Sequence, residues 1–196
     1  TLDAIDLVPT YGRPPSDLMF TNRLFDTTYA PVLATGRIAA WNSTDLSNYA
    51  DKIQQHLAAR QTCPEDWMKH TLHFIGGDEG FEQGLIKSYM DVNEQVIEDT
   101  LMGNIVTSYY KTSSDPIQYL LALELQARID NGVNIMTFFG HAAGSSFDIT
   151  TDIPENWNNN GKYPLVFAQS CLVGDIYGGT KNLNERFVLA PNKGSV

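Results

Sequence analysis

The sequence predicts an α/β fold of three layers, α/β/α, built on a mostly parallel central sheet. Three observations carry that prediction. Short apolar, β-prone runs alternate with amphipathic stretches from about residue 30 onward. Residues 133–139 are a near-continuous apolar run, the pattern of a strand covered on both faces. At 196 residues, the chain is long enough to cover both sides of one sheet.

The elements follow in order. Residues 1–30 read as an irregular N-terminal arm, because Pro9, Gly12, Pro14 and Pro15 leave little room for helix. Residues 31–196 read as the folded domain. Its first apolar run, 31–34, leads into Gly36-Arg37-Ile38. Ser43 or Thr44 can cap the next helix, where Leu46, Tyr49, Ala50, Ile53 and Leu57 share a face. Residues 71–75 form a strand that stops at Gly76-Gly77. A second helix spans 82–101, with Leu85, Tyr89, Val92 and Val96 in helical register. Residues 104–110 are rich in Ile, Val and Tyr and read as a strand.

The third helix carries clear punctuation: Asp115 at the N-cap, Pro116 at the first position and Gly132 at the stop. The strand 133–139 follows it. Residues 156–161 are polar and turn-rich, 165–168 form another buried strand, and 187–189 a further one. The chain ends soon after, which predicts part of a longer domain. Thr1 is not a natural start, so a processed or excised segment is expected.

Composition narrows the function. A net charge of -10 with 13 scattered basic residues argues against nucleic-acid binding, which rests on Lys and Arg. No apolar run approaches the roughly 20 residues needed to span a bilayer. Two cysteines, Cys63 and Cys171, do not make a disulfide framework. They could form a single bridge if the protein is secreted, although Cys63 sits in a turn-like Gln-Thr-Cys-Pro stretch.

Two segments thirty residues apart hold the chemistry: Phe138-Phe139-Gly140-His141 and Ala168-Gln169-Ser170-Cys171. Each is a strand that ends in one reactive side chain. In a parallel sheet, the carboxyl ends of neighbouring strands open onto a shared crevice. A His and a Cys delivered there supply a general acid/base and a nucleophile. The thiol needs such a neighbour, because an unperturbed Cys, with a pKa near 8.5, is only a few per cent thiolate at neutral pH. Ala142, Ala143 and Gly144 are small enough for backbone N–H groups to approach an oxyanion. The amides of Ala142 and Cys171 are the expected donors. Taken singly, a buried Cys is more often a small core hydrophobe and a lone His a structural one. Together at two strand ends, they favour a thiol hydrolase.

The run Phe-Phe-Gly-His-Ala-Ala-Gly, followed by Phe-Ala-Gln-Ser-Cys, resembles the catalytic pair of the gingipain-like cysteine peptidases of family C25, in the caspase-like clan. Thr35-Gly36-Arg37-Ile38-Ala39-Ala40 and Tyr11-Gly12-Arg13-Pro14-Pro15-Ser16-Asp17 resemble that family's upstream segments, so the likeness spans most of the chain. The resemblance implies a caspase-like fold, Cys171 as nucleophile and His141 as general acid/base. It implies a third, orienting carboxylate on the loop after an earlier strand, for which Asp78 and Glu79 are the candidates. Equally, those two residues suit the acidic first turn of the next helix. Asp148 and Asp175 flank the site and could take a basic P1 side chain, or serve solubility alone. Where the family commonly has His-Gly, this chain has Ala142 after His141.

Further expectations follow from the resemblance. The protein is secreted or surface-attached, of the type IX secretion kind, and acts on peptide or protein substrates. It requires no cofactor and can carry structural calcium, although no loop of EF-hand spacing is present. The alternative is a non-catalytic C25-like module that binds peptide or partner in secretion or surface attachment.

Other signals lead nowhere. Gly76-Gly77-Asp78-Glu79-Gly80 is not a dinucleotide fingerprint, and there is no phosphate-loop motif. Ala142 stands where a nucleophile elbow needs Ser. His70 and His73 point to opposite faces of a strand, which makes a shared zinc improbable. Asn42-Ser43-Thr44 fits a glycosylation sequon and equally a helix cap.

Overall fold

Four parallel strands carry the larger of two units, in the sheet order Ile105–Tyr110, His70–Ile75, Ile135–Phe139 and Leu165–Gln169. The computed structural model describes residues 8–12, 16–24, 30–62, 64–119, 123–151 and 153–196. Cys63 lies outside them. The units are Thr1–Ala39 and Ala40–Val196.

In the first unit, the described residues are irregular, with a 3-10 turn at Leu18–Phe20. Single bridges join Tyr11 to Ser16 and Asn22 to Pro31, so no strand forms at residues 31–34. Its main tie is ionic. The Arg37 guanidinium donates to both Asp17 carboxylate oxygens, at 2.8 and 2.6 Å, and to the Val8 carbonyl at 2.7 Å. That fork holds the Asp17 carboxyl below its ordinary range. The two upstream segments singled out in the sequence are thus joined by one bidentate pair.

In the second unit, the order is α1 (Ser43–Gln61), β1 (His70–Ile75), α2 (Gly80–Ile97), β2 (Ile105–Tyr110), β3 (Gln118–Tyr119) and α3 (Leu123–Asn131). There follow β4 (Ile135–Phe139), β5 (Ala142–Ala143), β6 (Ser146–Phe147), β7 (Ile149–Thr150), β8 (Leu165–Gln169) and α4 (Leu183–Leu189). All pairs in the main sheet are parallel. Strand alternation sends side chains to two faces. Leu72, Phe74, Met136 and Phe138 pack with Leu125 and Ile129 of α3 and Leu183 and Phe187 of α4. Ile75 packs with Ile86 and Met90 of α2, against Tyr110 and Phe139. Helices therefore lie on both faces, as the alternation predicts. Phe138 anchors the larger core, stacked on Phe147 at 4.0 Å and Phe74 at 4.4 Å between ring centres.

Several elements depart from the sequence expectation. Asn42, not Ser43 or Thr44, caps α1, its side chain accepting from the Asp45 N–H. Leu46 and Leu57 of α1 are exposed, and its buried residues are Asp45 and Lys52. Lys52 is fully buried and donates to the carbonyls of Phe187, Lys193 and Ser195 at 3.4, 3.0 and 2.7 Å. The predicted face of α2 is inverted: Leu85, Tyr89, Val92 and Val96 face solvent while Ile86 and Met90 face the sheet. Two apolar stripes run along this helix, and only one meets Ile75, Tyr110 and Phe139.

Asp115 and Pro116 open no helix; β3 follows them instead. The Gln118 N–H donates to the Asp148 carbonyl at 2.7 Å, and its side chain accepts from the N–H groups of Thr112 and Ser113. This long-range pairing, completed by β7, outweighs a local cap signal. Residues 187–189 are helical rather than a strand. The Asn182 side chain accepts from the Glu185 N–H while Glu185 accepts from the Asn182 N–H, a capping box that commits α4. Among the described residues, β8 is an edge strand of the sheet and leaves Leu165 and Phe167 about half exposed, 47% and 50%.

Candidate active site

The register fixes where the reactive residues stand. Phe139 on β4 pairs with Gln169 on β8. His141 and Cys171 each lie two residues beyond that last pair, at the carboxyl ends of adjacent strands. Both are exposed to solvent. Among the described residues, no hydrogen bond joins His141 to the Cys171 thiol. Directly after Cys171, Leu172 takes a left-handed backbone, φ 60°. That is a strained state for a branched-chain residue, and such strain gathers at sites where a chain must turn sharply.

His141 has two acidic neighbours. Its Nε2 lies 3.0 Å from Glu82 Oε1 and 3.9 Å from Asp78 Oδ2. The hydrogen bond to Glu82, with the nearby charges of Asp78 and Asp148, raises the His141 pKa above its ordinary value. Glu82 is held below its ordinary value, first by the Asp78 N–H it accepts at 2.8 Å and then by His141. One carboxylate thus folds the β1–α2 connection and grips the imidazole at once.

Sequence reasoning had narrowed the carboxylate to Asp78 or Glu79. Asp78 stands in the site at the longer distance. Glu79 caps α2, with its carbonyl accepting from Gln83, and is not bonded to His141. Glu82, in the first turn of α2, was missed. The signal lay in topology: β1 neighbours β4, so the helix that leaves β1 starts beside the end of β4.

Ala142 opens a tight hairpin, β5 with β6. Hydrogen-bonded and non-bonded pairs alternate along an antiparallel ladder. The Asp148 N–H donates to the His141 carbonyl at 2.9 Å, so the next pair, Ala142 with Phe147, is of the non-bonded kind. The Ala142 amide is therefore turned out of the ladder. The loops after the two reactive residues also meet: the Leu183 N–H donates to the Gly144 carbonyl and the Asn184 N–H to the Val173 carbonyl.

Asp148 is not presented to a ligand. It is 3% exposed, accepts the Gly77 N–H at 2.7 Å and lies 3.6 Å from the buried Lys111 ammonium. Asp175 is exposed and turns its own loop by accepting the Tyr177 N–H. Among the described residues, no group of three or more His, Cys, Asp or Glu gathers to hold a metal ion. Among them, no helix is long and apolar enough to cross a membrane.

Over residues 2–196, the sequence matches the family described as peptidase family C25. The chain belongs to this family. C25 membership agrees with the parallel sheet. Among solved structures, one described only as a protease is similar at a TM-score of 0.73 and 16% identity. It covers 92% of this chain, which spans 38% of it. The Arg-specific cysteine proteinase gingipain R (RgpB) aligns at 0.71 and 15% identity, covering 96% of this chain and 44% of its own. A complex of Porphyromonas gingivalis RgpB pro- and mature domains gives 0.70 and 14%, covering 96% and 45%. These likenesses confirm the caspase-like α/β fold. This C25 chain spans less than half the length of each of these relatives. No curated protein matched the sequence.

Proposed function

We propose that this chain carries the catalytic dyad of a secreted or surface-exposed cysteine endopeptidase of family C25, acting on peptide or protein substrates. The observation that carries the reading is the placement of His141 and Cys171 at the ends of adjacent parallel strands, with Glu82 bonded to the imidazole.

The chemistry follows from these groups. The Cys171 thiolate attacks the scissile carbonyl carbon, and the electron pair of the C=O bond moves to oxygen. The outward Ala142 amide and the Cys171 amide stabilise that oxyanion. His141, whose imidazolium form Glu82 favours, gives its proton to the amine as the C–N bond breaks. Water then adds to the thioester, His141 takes its proton, and the C–S bond breaks to release the carboxylic acid and restore the thiolate beside the imidazolium. Glu82, with Asp78 behind it, holds the ring in orientation through both half-reactions. No cofactor enters. An export route of the type IX kind belongs to the same proposal.

A non-catalytic C25-like binding module is the second reading. It is favoured by a His141 imidazole that makes no hydrogen bond to the Cys171 thiol among the described residues.

Intact-mass labelling with peptidyl acyloxymethyl ketones at mildly acidic pH separates the two. The reagent needs both an activated thiol and a formed cleft. The expected result is one adduct on the wild type that is lost in Cys171→Ala and His141→Ala. A folded wild type that takes up no reagent from a panel of P1 side chains would leave the binding module.

A further inference from the structure

Beneath the site lies a charged pair that the chemistry above does not use. Lys111, the residue after β2, has a side chain with 0% exposure, and Asp148, between β6 and β7, is 3% exposed. Two buried charges are costly unless they are paired and hydrogen-bonded. Here they are both: Lys111 Nζ is 3.6 Å from Asp148 Oδ2, which also accepts the Gly77 N–H at 2.7 Å.

The ends of two strands close around this carboxylate. A Cβ on Gly76 would stand 2.2 Å from Asp148 Oδ1, and one on Gly140 would stand 2.6 Å from it. Only glycine fits either place. The Gly76 N–H donates to the Phe139 carbonyl at 2.8 Å, so the two ends are also tied to each other. Asp148 then reaches both halves of the site. Its backbone N–H holds the His141 carbonyl, and its side chain holds Gly77, the residue before Asp78. Lys111 is itself fixed, its N–H donating to the Ile75 carbonyl at 2.8 Å. Its ammonium lies 3.4 Å from Asp78 Oδ1, while Asp78 Oδ2 lies 3.9 Å from His141 Nε2.

We propose that Lys111 and Asp148 are positioning residues for His141, a buried ion pair that decides how Asp78 is shared between the ammonium and the imidazole. The inference rests on the reading of His141 as the acid/base. Asp148 shares the Lys111 charge with Asp78, whose Oδ1 meets the ammonium, and that lets the other Asp78 oxygen lean toward His141. Without Asp148, the buried ammonium claims Asp78. Without Lys111, the Asp148 charge is stranded beneath Gly77 and Gly140, and Asp78 turns wholly to the imidazole. Among the described residues, the charged groups facing His141 are Glu82 from α2, Asp78 from the β1–α2 connection and Asp148 from below, with Lys111 behind Asp78 and Asp148.

The test follows the His141 ring resonances by NMR across a pH titration, alongside the rate of acyloxymethyl ketone uptake. Wild type, Asp148→Asn, Lys111→Met and Lys111→Arg are compared as folded proteins. Asp148→Asn should lower the His141 midpoint and slow uptake about tenfold or more, as small misplacements of catalytic groups do. Lys111→Met should raise the midpoint, and Lys111→Arg should restore it toward wild type. A merely structural pair would lower the unfolding midpoint and leave the His141 titration of the folded protein where it was. Should Lys111→Met not fold, Asp148→Asn and Lys111→Arg decide. A folded Asp148→Asn with wild-type His141 midpoint and uptake overturns the inference. If the wild type takes up no reagent, the peptidase reading falls, and the NMR midpoints still judge the pair.

Discussion

Glu82 does two jobs with one carboxylate. Oε2 accepts the Asp78 N–H and Oε1 meets His141 Nε2. Its removal should therefore show in two pH windows. His141, raised above its ordinary 6.5, adds stability that is full below 6.5 and lost as pH climbs through the folded-state value. Glu82, depressed below its ordinary 4.5, adds stability that is present above 4.5 and lost as pH falls through its lower folded value. Glu82→Gln should flatten the profile at both edges, with an effect of at most about 1 kcal/mol for so exposed a pair. Equilibrium unfolding at a series of pH values measures this. In the same variant, the His141 midpoint should fall toward that of a free histidine, and ketone uptake should slow. Wild-type behaviour in both would remove Glu82 from the site.

At the level of elements, the sequence is most legible where a segment is buried on both sides. The strands β1, β2, β4 and β8 are apolar runs bounded by Gly or polar residues, and each lies within a residue or two of its expected place. Legibility fails where two patterns compete. The short apolar run at Phe187–Leu189 cannot by itself separate strand from helix. Asn182 with Glu185 three residues on held the deciding signal. On α2, two stripes satisfy one helical period, and only the sheet beneath selects Ile86 and Met90. The strand-end placement of His141 and Cys171 was readable because it depends on strands alone. Glu82 was not, because its distance to His141 depends on the path of a four-residue loop.

On α1, the unread residue is Lys52, whose ammonium closes three carbonyls at the chain's last turns. Burial pulls its pKa down to about 8 from an ordinary 10.5. The folded state holds that proton less tightly, so the charge costs stability in full below pH 8, and the cost lifts as pH rises toward 10.5. Lys52→Met strands the carbonyls and should destabilise by about 2–4 kcal/mol. The gap between wild type and variant should widen from about pH 8 to 10.5. Denaturant titrations across that range decide it, and a constant gap would show that Lys52 holds its proton in the fold.

For the whole molecule, the sheet's order decides how a solution of this chain behaves. Among the described residues, β8 is paired with β4 on one side, and Leu165 and Phe167 stand half out of the fold. An unpaired strand with apolar side chains is a template for a second copy, the hazard that natural sheets blunt with a lysine. A concentrated preparation should therefore scatter light beyond its monomer mass. Phe167→Lys should return it toward a single species, with little change in unfolding because the side chain is already half exposed. Crystallisation, spectroscopy and storage of the isolated chain all inherit that edge, and a lysine at 167 makes a more tractable reagent of it.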